Sequence, residues 1–330
     1  MSYYASLLPL ACIYGILVLG LNFQFGLTGI LNFTYITFVA IGAYVSGVLT
    51  LGVPGQQQTY ILGAHIAFPL NILAGGLAAG ILGLAISFTT LRRLRSDYLA
   101  IVTIAAGQIV YTVIGNEARI FNGWNGIFGI PVPGPAGLDP TQQQLFFGFI
   151  TLIILILTYV FVQRLQSSPL GRTLRSIRDD ETVTGAFGRN TYMLKMLAFF
   201  VGSCIAGIGG GLLGEYGTAY NPSAFLPGET FILWAALLIG GVANNRGALL
   251  GALIVPVGFT EITRFMPSSI DSSLVQSLRG VAIGLLIILV PFFLPHGILR
   301  ERYPKDKDAA ATREAQASPP PTPPGEQVHA

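Results

Sequence analysis

Hydrophobic side chains in this chain gather into nine continuous runs, not into alternating patterns or narrow helical stripes. The runs lie near residues 5–22, 31–52, 68–90, 97–115, 145–163, 193–214, 230–243, 247–266 and 277–299. A helix that crosses the hydrocarbon core of a bilayer needs about 20 mostly apolar residues, because each residue advances it only about 1.5 Å. The pattern therefore predicts an all-α, polytopic transmembrane bundle of eight to ten spans. Nine is the best count, since the seventh run is short and Gly240 and Gly241 interrupt its end. A transmembrane β-barrel would alternate apolar with polar positions, and these runs do not.

Polar residues then orient the bundle. The first 91 residues contain no Lys, Arg, Asp or Glu. Arg92, Arg93 and Arg95 follow the third run, a dense charged segment follows the fifth, and Arg246 follows the seventh. Arg300, Arg302, Lys305 and Lys307 follow the ninth. With nine spans all four clusters fall on one face, and the excess of basic residues marks that face as cytoplasmic. The intervening loops 53–67, 215–229 and 267–276 have no basic residue, and 116–144 has only Arg119. The N-terminus is expected outside. Its first run is expected to be a retained span, because no basic residue precedes it and Pro9 spoils the cleavage pattern around Leu10, Ala11 and Cys12.

Composition agrees. Charged residues are 10% of the chain, against about 25% in soluble domains, too few to coat a water-facing globule. Cys12 and Cys204 both lie in apolar runs, and His65, His296 and His329 are scattered. No disulfide framework or metal-ligand set is expected. A membrane-spanning domain over 1–303 is expected to be followed by a disordered tail over 304–330, polar and ending in a Pro-rich PPPTPP stretch.

The charged segment is SPLGRTLRSIRDDETVTGAFGRN, residues 168–190. Leu170, Leu174 and Ile177 recur at helical spacing on one face, and Arg172, Arg175 and Arg178 on another. Ser168 suits an N-cap and Pro169 the first turn of a helix. The expectation is one short amphipathic helix, after which Gly185 and Gly188 loosen the chain. Its apolar side would enter a partner's groove while its arginines meet acidic residues there. A helix lying on anionic lipid is the alternative, and the acidic run Asp179, Asp180 and Glu181 weighs against it.

No phosphate loop, zinc-binding helix or nucleophile–base arrangement is present, so a catalytic role is not expected and energy must come from elsewhere. Glu261, Arg264 and Arg279 lie near span ends and read as structural pairs before proton carriers. The candidates for a polar path are neutral: Asn22, Gln24, Thr28, Asn32, Thr34 and Gln108, although amides also staple helices together. Glycine pairs at Gly76/Gly80, Gly207/Gly211, Gly210/Gly214 and Gly247/Gly251 predict close helix packing. The stretch from Gly26 to Phe33 reads as a broken helix at membrane depth. The long Gly- and Pro-rich loop 116–144 carries Trp124 and Phe128, which favour a surface role.

Several of these segments together resemble one family, the LivM-type permeases of branched-chain amino acid ABC transporters. They are LNFQFGLTGILNFTYITFVAIGAYVSGVL (21–49), LRRLRSDYLAIVTIAAGQIV (91–110), NGWNGIFGIP (122–131), the segment 168–199 and LLIGGVANNRGALLGALI (237–254). The resemblance implies an importer permease fold in a bacterial inner membrane. It also implies partners: a homologous second permease, two cytoplasmic ABC ATPases, an external solute-binding protein and the surrounding membrane lipid, with no nucleic acid and no cofactor. Within the cytoplasmic loop 164–192, Leu170, Gly171, Arg172, Leu174, Arg175, Ile177, Arg178, Asp179, Asp180, Glu181 and Gly188 would then form the ATPase coupling element. Asn122, Gly123, Trp124, Asn125 and Phe128 would meet the binding protein. The solute would be a branched-chain or related amino acid; urea or a short amide is the alternative cargo, and a gradient-driven carrier the alternative machine.

Overall fold

A computed structural model describes residues 2–52, 58–61, 63–91, 96–135, 137, 139–258 and 272–301. Glu261, Arg264, the arginines at 92, 93 and 95, and the tail beyond Glu301 lie outside the described residues. Each apolar run contributes a helix over its described residues. In chain order they are α1 (Ser2–Leu21), α2 (Tyr35–Thr50), α3 (Leu70–Thr90), α4 (Ser96–Asn116), the short α5 (Ala118–Phe121) and α6 (Pro140–Ser167). Then come α7 (Pro169–Asp179), α8 (Glu181–Ala186), α9 (Thr191–Gly217), α10 (Thr230–Gly240), α11 (Asn245–Ala252) and α12 (Ser272–Phe293). Among the described residues, six helical segments are long and apolar enough to cross a membrane, and three apolar helices are shorter. This is a multi-pass membrane protein.

Helix α9 is the hub, with α1, α2 and α3 packed on it. Glycine permits the contact. A Cβ at Gly42 of α2 would stand 2.1 Å from the Gly207 carbonyl oxygen, and one at Gly210 would stand 2.0 Å from that of Val39. In lipid, helices gain little from excluding water, so dispersion across such close contacts holds them together. Around α1, the Cβ positions of Gly148 and Gly15 approach Leu8 and Leu155. Helices α1 and α6 therefore run in the same direction. The N-terminal end of α1 lies at the opposite end of the bundle from the α6–α7 junction.

Helix α1 does not stop at Leu21. It widens into a π-helical turn over Asn22–Gly26, and a non-helical gap over 29–34 precedes α2. The break foreseen between Gly26 and Phe33 is present. Its polar groups are satisfied internally: the Thr34 hydroxyl donates to the Thr103 carbonyl, and Trp234 Nε1 donates to the Asn32 carbonyl at 3.2 Å. Irregular backbone at this depth is tolerable only with such partners.

Candidate functional site

The charged segment folds as two helices. Ser168 caps α7, its hydroxyl accepting from Gly171 N, and Pro169 opens the first turn. Asp180 adopts an extended backbone (φ −155°, ψ 108°), which ends α7, and its side chain accepts from Val183 N to cap α8. Gly185 therefore lies inside a helix instead of loosening the chain. Gly188, at φ +77°, is the turn residue. Asn190 then caps α9 through Met193 N at 3.0 Å.

The phase of α7 is as the sequence predicts, but its partner is not. Leu174 and Ile177 are buried within this same chain, so they cannot also enter another protein's groove. Two of the three arginines are engaged as well. Arg175, only 8% exposed, donates Nη2 to the Gln166 carbonyl at 2.6 Å and Nε to the Gly171 carbonyl at 3.4 Å. Arg178 donates Nη1 to the Gly26 carbonyl at 2.5 Å, and its stem packs on Gly29. A backbone carbonyl at a helix break is an under-used acceptor, and a guanidinium supplies donors in a fixed fork. Of the three, only Arg172 is exposed.

The acids also act locally. Asp180 is a cap, Asp179 lies 3.6 Å from Arg178 Nε, and Glu181 pairs with Lys195. Among the exposed residues of α8 and its turn are two large apolar side chains, Val183 at 52% and Phe187 at 81%. Sequence reasoning passed over both. Their i, i+4 spacing within a polar segment was the available signal.

Behind α7, buried amides join four stretches of chain. Gln166 Nε2 donates to the Ala243 carbonyl at 2.7 Å, and Asn245 Nδ2 donates to Gln166 Oε1 at 2.7 Å. Asn22 Nδ2 donates to Asn245 Oδ1 at 2.9 Å, while Ala243 N donates to Asn22 Oδ1 at 2.8 Å. From the π turn the bonds continue upward. Gln24 Nε2 donates to the Phe199 carbonyl at 2.8 Å, and Asn32 Nδ2 donates to Gln24 Oε1 at 2.8 Å.

Of the path candidates, Asn22, Gln24, Thr28, Asn32 and Thr34 are therefore all buried and tied to protein atoms. Thr28, too, bonds inward, to the Gln24 carbonyl. Gln108 stands apart and exposed on α4. The structure brings the first five together as fasteners of the broken helix and does not bring Gln108 to them.

At the opposite end, the loop after α4 is pinned by a two-residue ladder pairing Ile127 with Tyr220 and Phe128 with Ala219. Asn122 is 2% exposed. Its Nδ2 donates to the Gly126 carbonyl at 2.6 Å, and its Oδ1 accepts from Thr59 N at 2.9 Å. Gly123 is buried too. These two shape the loop, whereas Trp124 and Phe128 are exposed at 50% and 38% and Asn125 is also exposed. Nearby, Asn71 Nδ2 bridges Thr50 Oγ1 and Glu215 Oε1, each at 2.6 Å. That buried carboxylate was not foreseen as a contact of α3 with α9.

Residues 3–291 match the family described as branched-chain amino acid transport system / permease component. The chain belongs to this family. It is 30% identical to the high-affinity branched-chain amino acid transport system permease protein LivM of Escherichia coli (strain K12), over 92% of this chain and 72% of that protein. It is 29% identical to the probable LivM permease of Methanocaldococcus jannaschii, over 88% of this chain and 91% of that protein. The LivH permease of Salmonella typhimurium is 23% identical over 87% of this chain and 91% of that protein. No solved structure matches the chain. The protein is thus a LivM-type permease subunit, and its described helices contain no group of His, Cys, Asp and Glu arranged to hold a metal.

Proposed function

We propose that this permease spans the bacterial inner membrane nine times, N-terminus outside, as half of the path of an ATP-driven importer for a branched-chain or related amino acid. Its companions would be a homologous second permease, two cytoplasmic ATPases and an external binding protein. The observation that carries the coupling assignment is the contrast within the charged segment. Helix α7 is fixed to the bundle by Arg175 and Arg178, and α8 holds Val183 and Phe187 out in water. An apolar pair exposed beside anchored charges is the composition of a docking contact. ATPase closure would push on α8 and α7 and, through the Arg178–Gly26 bond, on the break between α1 and α2 as a rigid-body shift. At the other end, exposed Trp124, Asn125 and Phe128 are the proposed contacts for the binding protein.

The test is a doubly substituted permease, Val183→Asp with Phe187→Glu, expressed with its companions. The expected result is normal insertion in the membrane with loss of ATPase co-purification and of amino acid uptake. Unchanged assembly and uptake would sink the docking role.

A further inference from the structure

Between α10 and α12 a cleft of about 470 Å³ opens on the side of the bundle, a volume typical of small-molecule sites. Two charges stand in its wall. Glu229 precedes α10 and Arg279 lies two turns into α12, and the nearest approach of their charged atoms, Arg279 Nη2 to Glu229 Oε2, is 3.9 Å. That is an ion pair without a hydrogen bond, since a charge-assisted contact closes to about 2.8 Å. Arg279 Nε is buried and has no hydrogen-bond partner among the described residues. A buried guanidinium N–H left idle beside a carboxylate held at arm's length is costly.

The rest of the wall is apolar, with Ile232 and Ile283 at its base, or empty. Gly228, Gly280 and Gly284 line it, and a Cβ at any of the three would meet nothing within 4 Å. Gly280 and Gly284 sit in a helix interior, where glycine costs about 0.5–1 kcal/mol relative to alanine. No contact among the described residues explains them, unlike Gly42 or Gly210. They keep the cleft open.

We infer that this cleft is a transit site for the zwitterionic head and aliphatic side chain of an α-amino acid. The planar Arg279 guanidinium lines the cleft with Nη2 no closer than 3.9 Å to Glu229, and it matches a carboxylate in geometry and charge. Glu229 offers acceptors to an ammonium, and Ile232 with Ile283 receives the side chain. A zwitterion that enters between the two charges completes both sets of bonds at once. The site rests on the amino acid reading above and adds where the solute is held.

The experiment uses the complete importer in liposomes, with labelled leucine as probe. Wild-type uptake is measured first; an importer that carries no amino acid overturns the functional reading itself. Glu229→Gln and Arg279→Gln are each expected to lower leucine uptake about tenfold, the worth of one charge-assisted hydrogen bond. Binding-protein-stimulated ATP hydrolysis should persist. Uptake within error of wild type overturns the site. The exchanged pair E229R/R279E separates a clasp from a ligand site, because it restores the ion pair but reverses the order of charges facing the solute. Uptake that stays low in a normally inserted protein supports the site, and recovered uptake overturns it. Gly284→Leu adds bulk at a position where a Cβ meets nothing within 4 Å among the described residues, and it narrows the cleft. Blocked uptake with both permeases still co-purifying supports the site, whereas loss of co-purification makes the glycine face a seat for the companion helix and overturns it.

Discussion

Helices α7 and α8 are neighbours in one charged segment, joined at Asp180, yet they face opposite ways. In α7 the apolar residues Leu174 and Ile177 and the guanidinium of Arg175 are all turned into the bundle. In α8 the apolar Val183, and Phe187 just beyond it, stand in water. Amphipathicity shows that a helix has two environments and does not say which neighbour supplies the apolar one. The more regular stripe belongs to the anchor, and the sparser one to the exposed surface.

Breaking the anchor should cost most. Arg175→Glu sets a carboxylate against the Gln166 and Gly171 carbonyls in a buried place, with an expected loss of about 4 kcal/mol. It should show as loss of monodisperse protein in detergent. Leu174→Ala leaves a cavity under α7 and should cost about 3 kcal/mol, seen as a lower midpoint in thermal unfolding. Arg178→Ala removes one charge-assisted bond to the helix break, with about 1.5 kcal/mol lost. Its sharper readout is functional: ATP hydrolysis continues while uptake falls, because the link from α7 to Gly26 is cut. On α8 the same measurements should barely move. Glu181→Ala removes the pair with Lys195 of α9 at a half-exposed position and should change stability by about 0.5 kcal/mol or less. A large loss there would make α8 part of the anchor and erase the distinction.

Much of this was legible along the chain. Continuous apolar runs long enough for a bilayer predict helices directly, and each described run is one. Ser168 and Pro169 start α7 for local reasons, hydrogen-bond acceptance and a fixed φ, so the sequence locates that boundary. The break near Gly29 was legible for the same reason, as two glycines with polar residues inside an apolar stretch. The fate of Arg175 and Arg178 was not, because the carbonyls that receive them belong to Gln166 and Gly26, and only folding brings Gly26 within reach. Asn122 misled similarly: its neighbours Trp124 and Phe128 are surface residues, but its amide closes the loop from inside.

By itself the sequence determined the solvent of each segment and the helices that follow, since transfer free energy and capping act over a few residues. It also determined the family, through motifs spread over most of the chain. Only the tertiary structure decided which side of each helix faces protein, which amides are fasteners, and that Glu229 and Arg279 share one cleft. Those outcomes depend on residues tens to hundreds of positions apart meeting at atomic distance, and no local pattern encodes such a meeting.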